Sequence, residues 1–157
     1  MSGTGKSSVL AELARRGHRV VDTDDGGWTE EAPSTGGRPF EPLWREDRID
    51  ALLAAHDDGS LFISGTVANQ GRFYPRFDAV VLLRAPADVI IDRVATRDTN
   101  DYGKTDRERL FILEDLATVE PLLRAGATAE IDTRAPVSAV ADELERIAEA
   151  ARRRDPQ

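Results

Sequence analysis

Short β-branched runs alternate along the chain with longer runs of helical spacing, and this alternation gives the first reading of the fold. Ser7 to Arg16 sets Val9, Leu10 and Leu13 on one side at helical intervals and is closed by Gly17. Arg19-Val20-Val21-Asp22 predicts a short strand ending in an acid. Residues 25–40 are punctuated by glycine and proline and predict a loop. Arg45 to His56 returns to helical spacing, with Ile49, Leu52 and Leu53 as its apolar positions. Leu61-Phe62-Ile63 and Ala79-Val80-Val81-Leu82-Leu83 predict buried strands, the second apolar without a break, as parallel strands covered on both faces tend to be. Pro86 opens a helix through Arg97, and residues 98–105 are polar. Asp106 to Arg124 predicts one further helix, Ala129-Glu130-Ile131-Asp132 a last strand, and Pro136 to about Arg152 the terminal helix. Strands separated by helices imply right-handed βαβ units and a parallel sheet, an α/β fold. With no internal repeat and no low-complexity linker, residues 1–157 read as a single domain.

Composition narrows the choice of partners. A formal net charge of −8 excludes a general electrostatic pull toward nucleic acid or an anionic membrane. An anionic ligand must therefore be held by a local cluster of basic groups. The absence of cysteine removes disulfides and thiolate metal sites, and His18 and His56 stand apart. No apolar run approaches the ~20 residues of a membrane span. The expectation is a cytoplasmic protein, monomer or homodimer, with a small-molecule partner and neither nucleic acid nor membrane.

The sharpest local signal is Ser2-Gly3-Thr4-Gly5-Lys6-Ser7-Ser8. The phosphate-binding loop has the pattern Gly, four residues, Gly-Lys-Ser/Thr. Its glycines, here Gly3 and Gly5, let successive backbone N–H groups, including those of Thr4 and Ser8, turn toward one anion. Lys6 supplies a mobile charge for the β and γ phosphates, and the Ser7 hydroxyl suits Mg²⁺. The helix behind the loop aims its positive end at the same anion. Counting back from Gly5, the first glycine of the pattern falls one residue before Met1, and the strand that should precede it is missing. Forfeiting about five apolar strand residues would cost ~5–10 kcal/mol of burial, comparable to the stability of a whole domain. The natural chain is thus expected to read strand-Gly-Met-Ser-Gly-Thr-Gly-Lys-Ser.

On these residues the chain resembles the small P-loop kinases, the shikimate, gluconate and nucleotide kinase group, across essentially its whole length. The resemblance implies a three-layer P-loop NTPase fold, a parallel sheet flanked by helices and a short lid, and transfer of a phosphoryl group from ATP with Mg²⁺ to a small polar acceptor. Asp22-Thr23-Asp24 looks like the Asp-x-Asp element of shikimate kinases, which implies that Asp22 supports the metal and Asp24 meets the acceptor hydroxyl. Glu41-Pro42-Leu43-Trp44-Arg45 is similar to their substrate segment, with Arg45 clamping an anionic group, so the acceptor region spans about 25–48. Ser64-Gly65-Thr66 keeps one glycine, Gly65, of the family's substrate-side triplet, a departure that counts against shikimate itself. Thr66 to Arg76 resembles gluconate kinases loosely, with Asn69, Gln70 and Arg72 reading hydroxyls or phosphate or serving as plain loop polarity. Arg93-Val94-Ala95-Thr96-Arg97 and the residues after it look like a lid, about 97–107, in which Arg97 stabilises the transferred group and Lys104, Arg107 and Arg109 add positive charge. Ile131 to Val137 is similar to the loop along adenine, which makes Arg134 a nucleotide contact.

Lys6, Asp24 and Arg97 are then the catalytic residues of a metabolite kinase. A nucleoside or nucleotide kinase of the same architecture is an alternative, and an ATP-binding regulatory protein without catalysis is another. The paired acids and the lid arginines favour catalysis. The lack of a base-reading set in residues 25–45 favours a metabolite. Trp28 and Trp44 either flank a pocket or cover core edges.

The reading frame upstream of the Met1 codon is expected to encode a glycine preceded by a β-branched apolar run. Sequencing that DNA checks this, and a stop codon or an unpatterned polar stretch there would refute it.

Overall fold

The computed structural model describes residues 1–34, 39–98 and 101–154. It divides into two compact units, Leu10–Arg76 and Met1–Val9 with Phe77–Gln157. Small parallel sheets and helices make up both, in keeping with an α/β chain.

Helix α1 (Lys6–Arg15) follows the phosphate loop. It stops where the spacing predicts. Gly17 takes a φ of 92°, its N–H donates to Ala14 O at 3.0 Å, and the N–H of His18 donates to Leu13 O at 3.1 Å. These paired bonds satisfy the last helical carbonyls, and the left-handed residue between them favours glycine.

In the Leu10–Arg76 unit, β1 (Arg19–Asp22) pairs in parallel with β4 (Leu61–Ser64), Val20 opposite Phe62 and Asp22 opposite Ser64. Between them the chain departs from expectation. Residues 25–40 are predicted as a loop, yet Thr29–Pro33 and Phe40–Trp44 form an antiparallel ribbon, β2 and β3, in the register Thr29 to Trp44 and Pro33 to Phe40. Glutamate, alanine and proline have weak strand preference, so the run carries no β signal of its own. The pairing itself supplies the order. Each strand of a two-stranded ribbon has an open edge, which is where Pro33 and Pro42 are tolerated. The glycines at 36 and 37 fall outside the described residues. Arg45 stands at the N-cap position of α2 (Glu46–Ala54) without a side-chain capping bond, and Ile49 and Leu52 of the helix are buried. A 3₁₀ segment over Gln70–Arg76 buries Phe73 against Trp44, ring centroids 5.7 Å apart.

In the other unit, β5 (Val81–Arg84) pairs in parallel with β6 (Ala129–Asp132). Helix α3 (Ala87–Thr96) and α4 (Asp106–Thr118) pack around Ala85, Ile90, Val94 and Ile112. The single helix predicted from Asp106 to Arg124 is two, α4 and α5 (Glu120–Gly126). Pro121 is the reason, since it has no N–H to give to the carbonyl four residues back. Helix α6 (Val137–Arg154) ends the described chain, with Val140, Ala141 and Leu144 buried. Among the described residues no helix is long and apolar enough to cross a membrane.

Among the described glycines of the Leu10–Arg76 unit, Gly65 leaves the least room for a side chain. A Cβ there would overlap Thr23 Oγ1 and stand 3.0 Å from Trp44 Nε1. Gly65→Ala is therefore expected to lose ~1–3 kcal/mol through overpacking. Gly71→Ala, where a Cβ meets nothing within 4 Å, is expected to stay within about 0.5 kcal/mol of wild type. Urea unfolding of the two variants, followed by tryptophan fluorescence, measures the difference.

Candidate functional site

The phosphate loop belongs to the unit that carries α3 and β6. Gly3 and Gly5 have φ values of 76° and 89°, a left-handed backbone that side chains resist. Gly3 is constrained twice, because a Cβ on it would meet Ile90 Cγ2 at 2.9 Å, Val94 Cγ1 at 3.0 Å and Ile90 O at 3.1 Å. Gly5 has room, its nearest neighbour being Thr133 Cβ at 3.9 Å, so its backbone angle alone selects glycine. Thr4 is buried and its hydroxyl donates to Met1 O at 3.1 Å. The Lys6 ammonium folds back over the loop and donates to the same oxygen at 2.7 Å. Ser7 and Ser8 lie exposed in the first turn of α1. That turn contains no acid, although helix N-termini favour acids. Its positive end is thus left without a carboxylate of its own.

Arg93 of α3 and Arg97, the residue just past its C-terminal end, reach the loop. Arg93 donates from Nη1 to Gly3 O at 3.3 Å and to Thr133 Oγ1 at 2.8 Å, and from Nη2 to the Thr133 carbonyl. Arg97 donates from Nη2 to Ser2 Oγ at 3.0 Å and to Tyr102 O at 2.7 Å. Its Nε is buried without a hydrogen-bond partner among the described residues. Ile90, Arg93 and Val94 fall three or four apart, so one face of α3 carries them toward the loop, and Arg97 follows at the C-cap of the same helix.

The other basic residues of the predicted lid do different work. Lys104 Nζ donates to Ala95 O at 3.0 Å and to the Arg97 carbonyl, covering the C-terminal carbonyls of α3. Arg109 donates to Gly103 O at 3.0 Å and Lys104 O at 3.1 Å. The Arg107 guanidinium lies over the Phe111 ring, 5.6 Å from its centroid. Gly103 presses into the core of this unit, where a Cβ would be 2.8 Å from Val94 Cβ. Thr105 caps α4 in a reciprocal capping box with Glu108. Hydrogen bonds from the backbone N–H and hydroxyl of Thr105 hold the Glu108 carboxyl below its usual range. Of the lid span about 97–107, residues 99 and 100 lie outside the described residues.

Arg134 is engaged locally. Its Nη2 donates to Asp132 Oδ2 at 2.7 Å, its Nε to Oδ1 at 3.0 Å, and its backbone N–H to Oδ1 at 3.0 Å. These bonds, with the charges of Arg134 and Arg84, lower the Asp132 carboxyl to about 2.

The remaining candidates sit in the Leu10–Arg76 unit. Strand β1 stops at Asp22, so strand alternation does not extend to Asp24. Instead the Asp24 N–H donates to Asp22 Oδ1 at 3.2 Å, and the two acids form a turn. Thr23 between them is fully buried, donating its hydroxyl to Ser64 O at 2.7 Å and accepting from Trp44 Nε1 at 2.8 Å. Arg45 is exposed and pairs with Asp47 at 3.3 Å. Arg72 is exposed and pairs with Glu46. Gly65 is accounted for by Thr23 and Trp44, which leave no space for a side chain. The Asn69 amide accepts from Trp44 N at 2.8 Å and donates to Trp44 O at 2.9 Å, so a side chain extends the pairing of β3. Trp44 is thereby a core residue, 4 % exposed, which decides between the two roles open to it from sequence.

Sequence reasoning passed over Thr133, and it grouped Arg93 only with the lid. The i, i+3, i+4, i+7 spacing of α3 was the available signal, but it says nothing of which loop that face covers.

A protein-family model described as AAA domain matches residues 1–114. The match takes in the phosphate loop, the acceptor-region residues, Arg93 and Arg97, and ends before Thr133 and Arg134. No curated protein matches the chain.

The Asp132–Arg134 pair gives a titration test. A carboxyl lowered from 3.8 to about 2 contributes stability that is fully present above pH 3.8 and is lost as pH falls through about 2. NMR of the Asp132 carboxyl carbon is expected to show a midpoint near 2 in wild type. In Arg134→Gln the midpoint is expected to rise toward 3.8.

Proposed function

The chain belongs to the AAA domain family, a kinase-rich group of P-loop nucleotide-binding proteins, and from that premise we propose that it is an ATP-dependent phosphotransferase acting on a small polar metabolite. The observation that carries this reading is the loop itself. Two left-handed glycines bend its backbone, and the Lys6 ammonium lies folded over it. The donor set fits a polyphosphate. Lys6 is mobile on its stem, the α1 N-terminus carries no acid, and Arg97 keeps a buried Nε–H without an acceptor among the described residues. In this reading the loop N–H groups and Lys6 bind the phosphates, and Arg97 bears on the group that moves. Mg²⁺, when bound, supplies charge neutralisation on the phosphate oxygens. The residues proposed to hold it are Ser7, through its hydroxyl, and Asp22, through its carboxylate. Asp24 is the proposed proton acceptor for the metabolite hydroxyl, with Arg45, Gly65 and Arg72 as substrate contacts and Arg134 as a nucleotide contact. The three-layer sheet, the single domain over residues 1–157, the cytoplasmic location and the monomer or homodimer state belong to the same proposal.

One observation favours a second reading, a nucleotide-binding protein without catalysis. The Asp24 N–H donates to the Asp22 carboxylate, and a turn of this kind needs no substrate to account for its acids.

Kinetics with ATP, Mg²⁺ and a panel of sugar, sugar-acid and nucleoside acceptors separates the two. Lys6→Ala is expected to abolish phosphoryl transfer while thermal unfolding stays near wild type, since the ammonium bonds to the loop carbonyl of Met1 and is not part of the buried core. Asp24→Asn is expected to lower kcat by ~10²–10⁴ with ATP affinity kept, as for removal of a proton acceptor. Wild-type kcat in Asp24→Asn would move the assignment to the non-catalytic binder. Undiminished turnover in Lys6→Ala would end the kinase reading.

A further inference from the structure

Arg93 makes contacts that no nucleotide is needed to explain. Its guanidinium spans two backbone segments of one unit, the phosphate loop through Gly3 O at 3.3 Å and the end of β6 through Thr133 Oγ1 at 2.8 Å and the Thr133 carbonyl. Thr133 is itself fixed. It is 7 % exposed, its N–H donates to Arg84 O at 2.8 Å, and its hydroxyl lies 3.2 Å from the same oxygen. Nη1 thus bridges the loop carbonyl to the Thr133 hydroxyl, and Nη2, on the Thr133 carbonyl, holds the guanidinium against the end of β6.

The grip on Gly3 has a directional consequence. A trans peptide is planar, with its C=O and N–H on opposite sides. A carbonyl drawn toward α3 by Arg93 turns the N–H of the same peptide, that of Thr4, away from α3. The Ile90 and Val94 side chains close the α3 side of that peptide, so the N–H faces away from the apolar wall. We infer that Arg93 is a positioning residue: by tying the Gly3 carbonyl to the end of β6, it sets the direction of the Thr4 N–H and with it the anion-binding geometry of the loop. The inference rests on the nucleotide-binding reading above and adds a residue that acts on the ligand through the backbone.

Lysine is a poor substitute. One ammonium at the end of a flexible stem lacks the second nitrogen that holds the Thr133 carbonyl and fixes the plane of the fork, so it does not hold the Gly3 carbonyl in one direction. Misdirecting one N–H donor removes one hydrogen bond, a contribution of about tenfold in affinity.

The test compares wild type, Arg93→Ala, Arg93→Lys and Ile112→Val, using ATP with Mg²⁺ and inorganic tripolyphosphate as probes in calorimetry. Ile112 is buried in the same cluster and serves as a control for lost stability alone. Expected are a dissociation constant raised about tenfold for both probes in Arg93→Ala, little recovery in Arg93→Lys, and wild-type values in Ile112→Val. Added guanidinium is expected to restore ATP binding to Arg93→Ala, while sodium chloride at equal ionic strength does not. Amide exchange by mass spectrometry, without ligand, is expected to quicken over residues 2–5 in Arg93→Ala. ATP binding at wild-type strength in Arg93→Ala overturns the inference, as does a loss that Ile112→Val reproduces and guanidinium leaves unchanged. A wild-type protein that binds neither probe sinks the nucleotide reading and this inference with it, an outcome distinct from the other two.

Discussion

At Gly3 the phosphate loop runs so near α3 that a single carbon atom cannot be added without meeting Ile90 and Val94. That approach determines much of what surrounds it. It requires a left-handed glycine, and Gly3 has a φ of 76°. It brings Arg93 on the same helix face, and Arg97 at the C-cap, within reach of loop polar groups. It also ties the loop to a packed cluster, since Val94 is shared with Gly103 and the core of Ala85, Ile90 and Ile112. The loop is held by apolar contact on one side and by two guanidinium groups beyond it, so its shape does not depend on a bound anion.

The Leu10–Arg76 unit uses a related device with different chemistry. Trp44, Thr23 and the carbonyl of Ser64 form a buried chain of hydrogen bonds around a glycine with no room for a side chain. Each polar atom in that chain has its partner, which is the condition for burying such groups at all. The turn of Asp22 and Asp24 issues directly from it, so Thr23 anchors the acids from the inside while Asp24 faces water.

What sequence could tell depended on whether the cause of a feature was local. Gly17 ends α1 as read, because a helix cap is decided by a few adjacent residues. Of the parallel strands, those at Leu61–Ser64 and Val81–Arg84 were legible from apolar runs and those at Arg19–Asp22 and Ala129–Asp132 from short stretches between helical patterns, and the glycine pattern of the phosphate loop was legible from spacing alone. The β2–β3 ribbon was not legible, because Thr29–Pro33 is ordered by a partner strand and not by its own preferences. The split at Pro121 was readable in principle and was overridden by apolar spacing that carries on past it. Within the site, residue types survived better than roles. Arg97 reaches the phosphate loop, whereas Lys104 and Arg109, equally basic and close in sequence, cover carbonyls at the end of α3 and in the connection after it. Charge can be counted along a chain, but which carbonyls it meets depends on the path of the backbone.

The bond from the Lys6 ammonium to Met1 O has a bearing on selectivity. The carbonyl is tethered beside the cation and acts as an internal competitor at a fixed effective concentration. The ammonium has three N–H donors, so an incoming anion either shares the cation with this carbonyl or displaces it. A monovalent ion such as chloride offers one charge in exchange for a well-placed dipole and its retained geometry. A polyphosphate offers several oxygens and several charges at once, enough to displace the carbonyl and engage the loop together. The carbonyl thereby takes part of the charge that Lys6 would offer a lone anion, and a ligand with several oxygens that also meets the loop N–H groups loses less by it.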